Sequence, residues 1–366
     1  MNKKIRYAVV GLGHIAQVAM IPAFKNARSN SELVALVSGD QKKLDVLGKR
    51  YKVPHLFHYA QFEEMLAQDL VDAVYISTPN VMHTEFAILA ARYGVHVLSE
   101  KPLATTEEEC VKILRAARTH KIKFMTAYRL HFEPANLEVV NIVKSKKIGD
   151  PRLFVSSFTN QIKDRTNIRL KKQMGGGPMW DIGIYCLNAS RYLFQDEPIE
   201  VFAMKASGSD SRFREVEEMM TVSLRFPKKR LATFAISYGA ESCAVFDIFG
   251  SKGHVNLENA YDYAEDMKMT ITKNEKKKIH QFKKHDQFGP ELKYFSDCIL
   301  KNREPEPSAE EGLLDVRVIE AIYESAETGR PVRLDHKRKS VRPSLRQSNR
   351  RPMHREPKLV HARAES

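Results

Sequence analysis

Three side chains of this 366-residue chain could together move a proton beside a forming or collapsing alkoxide: Lys101, Asp181 and Tyr185. Tyr185 stands four residues after Asp181, the spacing that puts two side chains on one face of a helix. A phenol ordinarily titrates at roughly pH 10, and a neighbouring ammonium favours the phenolate, which would make Tyr185 a usable acid/base. Asp181 can accept from a substrate hydroxyl and orient it, while Lys101 would supply positive charge where an alkoxide develops. Such a trio suits the interconversion of an alcohol and a carbonyl, which also needs a hydride carrier.

The elements that could position a carrier stand at the start of the chain. A short apolar strand, Ile5 to Val10, runs into Gly11-Leu12-Gly13-His14-Ile15-Ala16 and then a helical pattern in which Ala16, Met20 and Phe24 recur. Gly11 permits a tight turn, and Gly13 lets backbone N–H groups approach a pyrophosphate, with His14 and Ile15 in the same turn. Ala16 allows close helix packing where a third glycine often stands. Strands at Glu32 to Ser38, near His55 to Phe57, Ala73 to Ser77 and Val95 to Ser99 alternate with helices at Gln41 to Tyr51, Phe62 to Ala67 and Met82 to Tyr93. That alternation predicts a parallel sheet covered on both faces, an α/β dinucleotide-binding (Rossmann) domain over residues 1–128.

The end of the second predicted strand decides which dinucleotide. An NAD site usually places a carboxylate there, and this chain has Ser38 followed by Gly39. A 2′-phosphate is then not repelled, and Lys43, at the start of the next helix, can pair with it. NADP is the expected cofactor, with NAD the alternative if Asp40 serves a ribose instead. Glu100-Lys101-Pro102 lies where another parallel strand ends, the edge that faces the ligand crevice in open α/β sheets. Lys101 delivered there can hydrogen-bond both a nicotinamide ribose and a substrate oxygen, with Pro102 fixing the backbone behind it.

Beyond residue 150 the rhythm changes. Leu153 to Asn160, Glu200 to Ala206, Met219 to Phe226, Leu231 to Tyr238, Cys243 to Phe249 and Met267 to Thr272 read as strands, most of them alternating apolar with polar. These predict an α+β domain, residues 129–335, built on a large, mostly antiparallel open sheet with one face available. Ser308-Ala309-Glu310-Glu311 is a capping box that opens a helix over 309–328, expected to pack near the first domain.

Taken together, Gly11 to Ala16, Glu100-Lys101-Pro102 and Gly175-Gly176-Gly177-Pro178-Met179-Trp180-Asp181-Ile182-Gly183-Ile184-Tyr185 resemble the glucose-fructose oxidoreductase/inositol dehydrogenase (Gfo/Idh/MocA) family. The Ser38-to-Lys43 run looks like that of its glucose-fructose oxidoreductase-like members. The resemblance spans residues 4 to 333 and implies hydride transfer between a nicotinamide and a cyclic sugar or polyol. It further implies roles at the cofactor for Thr78 and Asn80 in the loop Ser77-Thr78-Pro79-Asn80, for His83 behind that loop, and for Glu100, Arg129 and Arg169. Two competing readings are an NAD-dependent polyol or dihydrodiol dehydrogenase on the same scaffold and a non-catalytic NADP(H) sensor. Intact Lys101, Asp181 and Tyr185 argue against the sensor, which needs no proton-transfer group.

Composition bounds the remaining classes. Four cysteines without a C-x-x-C pair give neither a metal cluster nor a disulfide framework, so a cytoplasmic, reducing setting is expected, and no apolar stretch reaches membrane-span length. The net charge is +14, of which residues 336–366 carry eight through ten Lys/Arg and two Glu. That basic, proline-punctuated tail is expected to be disordered or an arm laid on a partner surface. It holds no aromatic residue, so a nucleic-acid role is not expected of it. The open sheet face predicts a homodimer or a dimer of dimers.

Overall fold

Short runs of β-branched and aromatic residues closed by glycine or polar turns become strands throughout the chain. The structure, a computed structural model, describes residues 3–335 and 341–362. Its first stretch runs β1 (Ile5–Val10), α1 (Ile21–Ala27), β2 (Ser31–Val37), α2 (Gln41–Tyr51), β3 (His55–Phe57), α3 (Phe62–Ala67), β4 (Ala73–Ile76), α4 (His83–Arg92), β5 (His96–Glu100), α5 (Glu107–Thr119) and β6 (Phe124–Ala127). There follow α6 (Pro134–Lys144), β7 (Pro151–Thr159), α7 (Ile184–Phe194), β8 (Glu200–Ala206), β9 (Met219–Phe226), β10 (Arg230–Ser237), β11 (Cys243–Gly250), β12 (Gly253–Glu258), β13 (Met267–Lys273) and β14 (Lys276–Phe282). Last come α8 (Phe288–Leu300), α9 (Ala309–Thr328) and β15 (Val332–Arg333). Two wide π-helical turns, Ala16–Met20 and Met179–Gly183, lead directly into α1 and α7.

One compact unit holds the chain up to Arg129, Asp286–Leu313, and residues 349 to 362 of the C-terminal segment. Its sheet is all parallel, in the order β3-β2-β1-β4-β5-β6, the doubly wound arrangement expected from the strand–helix alternation. The central strands are buried on both faces, with Tyr7, Val9, Val74 and Tyr75 without exposed surface. Helix α8, far along the chain, packs on α1 and is tied to the sheet through Ser296, whose hydroxyl bonds Tyr7 and Ser31, each at 2.7 Å.

Among the described residues the second unit takes Leu130–His285, 314–335 and 341–348, so α9 divides between the units at Leu313 and Leu314. Its nine-stranded sheet runs β14-β13-β12-β11-β7-β10-β9-β8-β15. All of its pairs are antiparallel except β7 with β10, which makes the sheet mixed. Helix α7 packs on β7 and α6 packs on α7, covering one face. The other face is open: β9 alternates exposed and buried along its whole length, and Phe202, Met204, Leu231 and Leu153 point outward from neighbouring strands.

Four strands lie outside the ranges expected from the sequence, β6, β12, β14 and β15. Of these β14, Lys-Lys-Lys-Ile-His-Gln-Phe, is an edge strand, where lysines are tolerated because they discourage pairing with other chains. The basic tail also has structure. Residues 351–361 lie as an extended arm along the first unit, hydrogen-bonded to α1, to the wide turn before it, and to α2. Residues 336–340 and 363–366 lie outside the described residues.

Candidate active site

In the first unit, the loops after β1, β2, β4 and β5 carry the residues expected to hold a dinucleotide. Gly11 has a φ of +91°, and a Cβ there would sit 2.6 Å from the Ser77 carbonyl oxygen, so only glycine fits. The approach is stitched by Gly11 N donating to Val37 O at 2.9 Å and Ser77 Oγ donating to Gly11 O at 2.9 Å. At Gly13 the nearest atom to such a Cβ is 4.0 Å away, leaving the space a pyrophosphate needs. Gly13, His14 and Ile15 are partly exposed, whereas the other residues of the segment 11–20 are buried. Thr78 adds a hydroxyl that is buried and has no hydrogen-bond partner among the described residues, and Asn80 is partly exposed in the same loop. An orphaned donor beside a glycine cradle fits a bound dinucleotide.

At the end of β2, Ser38 Oγ accepts from Asp40 N at 3.1 Å and so keeps its own O–H to donate. The Lys43 side chain makes no hydrogen bond among the described residues. Asp40 is fully engaged: Oδ1 caps α2 by accepting from Lys43 N at 3.1 Å, and Oδ2 accepts from His361 Nδ1 at 2.8 Å. Burial would raise the Asp40 carboxyl, but the His361 hydrogen bond and the Lys43 N–H outweigh it and hold the group below its ordinary range.

Lys101 follows the last residue of β5. Its backbone N–H donates to Glu100 Oε2 at 3.3 Å, and Tyr75 O–H donates to Glu100 Oε1. Burial raises the Glu100 carboxyl above the usual carboxylate range against the pull of the Lys101 charge and that hydroxyl.

Two expected cofactor ligands take other places. His83 has no exposed surface, and both ring nitrogens lie on carbonyls, Nδ1 at 2.8 Å from Pro102 O and Nε2 at 3.0 Å from Thr78 O. It braces the loop carrying Thr78 against the one carrying Lys101, and burial lowers its pKa. Arg129 is buried, and its guanidinium donates to Gln287 at the start of α8. Near it lies Glu291, fully buried and with neither carboxyl oxygen partnered among the described residues. Burial first, and the Glu100 charge next, push that carboxyl well above the ordinary range.

In the second unit, the glycine run builds a separate cluster. A Cβ on Gly176 would meet Arg169 O at 2.4 Å, so the glycine lets the chain pass against residues 169–171. Arg169 thereby reaches Asp181, with Nε donating to Oδ2 at 2.7 Å. Gly183 lets the wide turn press on β10, where a Cβ would sit 2.8 Å from Ile236 Cδ1. Tyr238, one residue past that strand, then donates its hydroxyl to Asp181 Oδ2 at 2.9 Å. Burial, and next the Asp181 charge, push the Tyr238 phenol well above its ordinary value, which keeps it a donor.

Tyr185 stands one turn on from Asp181. Between residues 181 and 190 only these two keep exposed surface, as the four-residue spacing predicts. The Tyr185 ring packs edge-on against Phe158, centroids 5.8 Å apart, and tilted on Tyr261 at 6.0 Å. The cluster thus presents a held carboxylate and a phenol side by side, able to orient a hydroxyl and exchange a proton. Arg169, expected at the cofactor, is here the partner of Asp181. Tyr238 escaped sequence reasoning because it lies 57 residues from Asp181 in an ordinary strand ending.

Comparison with known proteins agrees with this construction. Residues 5–128 match the model of the oxidoreductase family, NAD-binding Rossmann fold (GFO_IDH_MocA), and residues 136–256 match the GFO/IDH/MocA C-terminal domain. The chain is 32% identical over 340 residues to D-xylose 1-dehydrogenase [NADP(+)] of Haloarcula marismortui, covering 91% of this chain and 94% of the relative. It is 27% identical to D-xylose 1-dehydrogenase (NADP(+)) 2 of Haloferax volcanii, covering 90% and 99%. Among solved structures, the aldose-aldose oxidoreductase of Caulobacter crescentus complexed with glycerol superimposes with a TM-score of 0.87 at 37% identity, covering 90% of this chain and all of that one.

Proposed function

The chain belongs to the Gfo/Idh/MocA oxidoreductase family, and from that premise we propose that it is an NADP(H)-dependent oxidoreductase acting on an aldose. The observation that carries this reading is the Asp181–Tyr185 pair, the two partly exposed positions of residues 181–190, with Arg169 and Tyr238 fixing the carboxylate. A binding module would have no use for a phenol held beside an oriented carboxylate.

Gly11, Gly13, His14 and Ile15 would hold the pyrophosphate, Ser38 and Lys43 the 2′-phosphate, and Thr78 and Asn80 the nicotinamide end. When bound, the nicotinamide supplies or takes the hydride. In sugar oxidation the substrate hydroxyl gives its proton to the Tyr185 phenolate as its carbon gives up the hydride, and in reduction the Tyr185 phenol gives the proton back. Asp181 accepts from a neighbouring sugar hydroxyl and fixes the ring, while Lys101 offsets negative charge on the reacting oxygen. Turnover of a panel of aldoses and polyols with NADP+ and NAD+ tests the reading; activity on none of them would overturn it.

The 2′-phosphate assignment makes its own prediction. Lys43→Ala should weaken NADP+ by about 1 to 3 kcal/mol, one charge-assisted contact, while barely changing NAD+. Ser38→Asp should invert the preference, because a carboxylate repels the phosphate and accepts from a ribose diol. The wild-type gap should narrow as salt rises. Titration of both variants with both cofactors decides; equal losses for NADP+ and NAD+ in Lys43→Ala would remove the assignment.

The open face of the nine-stranded sheet is proposed as a homo-oligomer interface. Met204 and Leu231, 60% and 48% exposed, lie on the same outward face and form apolar surface that a second copy would cover. Light scattering at micromolar concentration should give a dimer or tetramer, and a monomer alone would overturn it. A cytoplasmic setting is part of the same reading, supported by four cysteines that form no disulfide. No helix among the described residues is long and apolar enough to cross a membrane.

A further inference from the structure

The C-terminal arm touches the nucleotide half-site at two separate places. Val360 is buried and pairs with the side chain of Gln17 as one strand pairs with another: its N–H donates to Oε1 at 2.8 Å and its carbonyl accepts from Nε2 at 2.9 Å. The same Nε2 donates to Leu12 O at 2.9 Å, inside the glycine loop. One residue on, His361 bends the chain with a φ of +43°, a conformation uncommon for a side chain other than glycine. Its ring thereby reaches Asp40 just past the end of β2. Upstream, Arg50 at the end of α2 donates to Lys358 O at 2.7 Å, His354 Nε2 lies 2.8 Å from Val18 O, and Asn26 donates to Pro352 O at 2.9 Å. The arm is therefore fastened to the wide turn and α1 after β1 and to α2 after β2, the two segments that follow the phosphate-binding loops.

We propose that this arm is part of the cofactor site and that His361 is a specificity-determining residue for the 2′-phosphate, an inference that rests on the NADP(H) reading. Two effects combine. A carboxylate only accepts, so Nδ1 of His361 carries the proton between them; with Lys43 N on the other oxygen, one acceptor site of each Asp40 oxygen is taken, which disfavours the bidentate grip on a ribose diol that would favour NAD. Nε2 makes no hydrogen bond among the described residues, and the ring is half exposed. A donor at Nε2 would add to the Ser38 hydroxyl and the Lys43 ammonium, the other groups around Asp40 that are complementary to a phosphate dianion. The positive charge of the tail then has a local use, since Arg351, Arg355 and Lys358 belong to the same fastened stretch.

The test is the ratio of NADP+ to NAD+ dissociation constants in wild type, His361→Ala, Asp40→Asn and the double variant, each followed by thermal unfolding. His361→Ala should move the ratio toward NAD+ by roughly tenfold or more, through weaker NADP+ and unchanged or tighter NAD+. In the Asp40→Asn background the same change should move it by less than in wild type, because the share that acts through the Asp40 carboxylate is gone and only the direct donor to the phosphate remains. His361 is half exposed, so the variant should melt close to wild type. An unchanged ratio, or equal losses for both cofactors with a lowered melting temperature, would make the arm a structural fastening and overturn the proposal. Wild type preferring NAD+ would instead strike the NADP(H) reading, whereas the shift produced by His361→Ala tests the arm whatever ratio it starts from.

Discussion

Replacing Tyr185 by phenylalanine is expected to lower turnover by about 10²-fold or more while leaving NADP(H) binding close to wild type. Phenylalanine keeps the ring contacts with Phe158 and Tyr261, so the loss is confined to the hydroxyl. Lys101→Ala should damage both turnover and cofactor binding, since the lysine follows the last residue of β5, where it is proposed to serve ribose and substrate alike. Steady-state kinetics with a cofactor titration separates the two variants. Near-normal turnover in Tyr185→Phe would sink its assignment as the proton carrier.

The second large effect is on stability. Helix α7, which follows the wide turn bearing Asp181, is anchored by Arg191, whose side chain has no exposed surface. The guanidinium is held by Glu197, with Nε to Oε2 at 2.5 Å, and by Asp315 on α9. Asp315 also accepts from Asn188 at 2.8 Å, and Arg342 joins through Glu197. Asp315→Ala leaves a buried guanidinium undercompensated and should cost about 3–5 kcal/mol. Trp180, the only tryptophan, stacks on Tyr323 within the same unit, so its fluorescence during urea unfolding reports this unit alone. A loss below about 1 kcal/mol would show that the cluster relaxes around the missing carboxylate.

Local chemistry was what the sequence displayed best. Gly11 could be assigned because a tight turn after an apolar strand has few other solutions, and the structure supplies the reason in the Ser77 carbonyl that no Cβ could approach. Asp181 and Tyr185 could be placed on one face because helical spacing is a property of adjacent residues. Contacts between distant segments were hidden. Asp40 read as a ribose ligand in waiting because its competitor, His361, lies 321 residues away. His83 looked available because nothing near it in sequence shows that the carbonyls of Thr78 and Pro102 converge on its ring. Strand β14 escaped because its lysines answer to edge solubility rather than to alternation.

The arm also fixes an order of events during biosynthesis. The parallel sheet of the nucleotide-binding unit is synthesised before the second unit, yet the nucleotide-binding unit is not complete at Arg129. It still lacks α8, which seats on α1, and the arm, which reaches Gln17 and Asp40. At roughly 5–20 residues per second, on the order of ten seconds or more separates synthesis of the glycine loop from synthesis of the residues that fasten over it. A nascent chain can therefore form the parallel sheet early but acquires its finished nucleotide unit only after the whole second unit has been synthesised. Ribosome-bound and prematurely stopped products would carry an open, unfastened version of that unit, a distinction a quality-control protease could read.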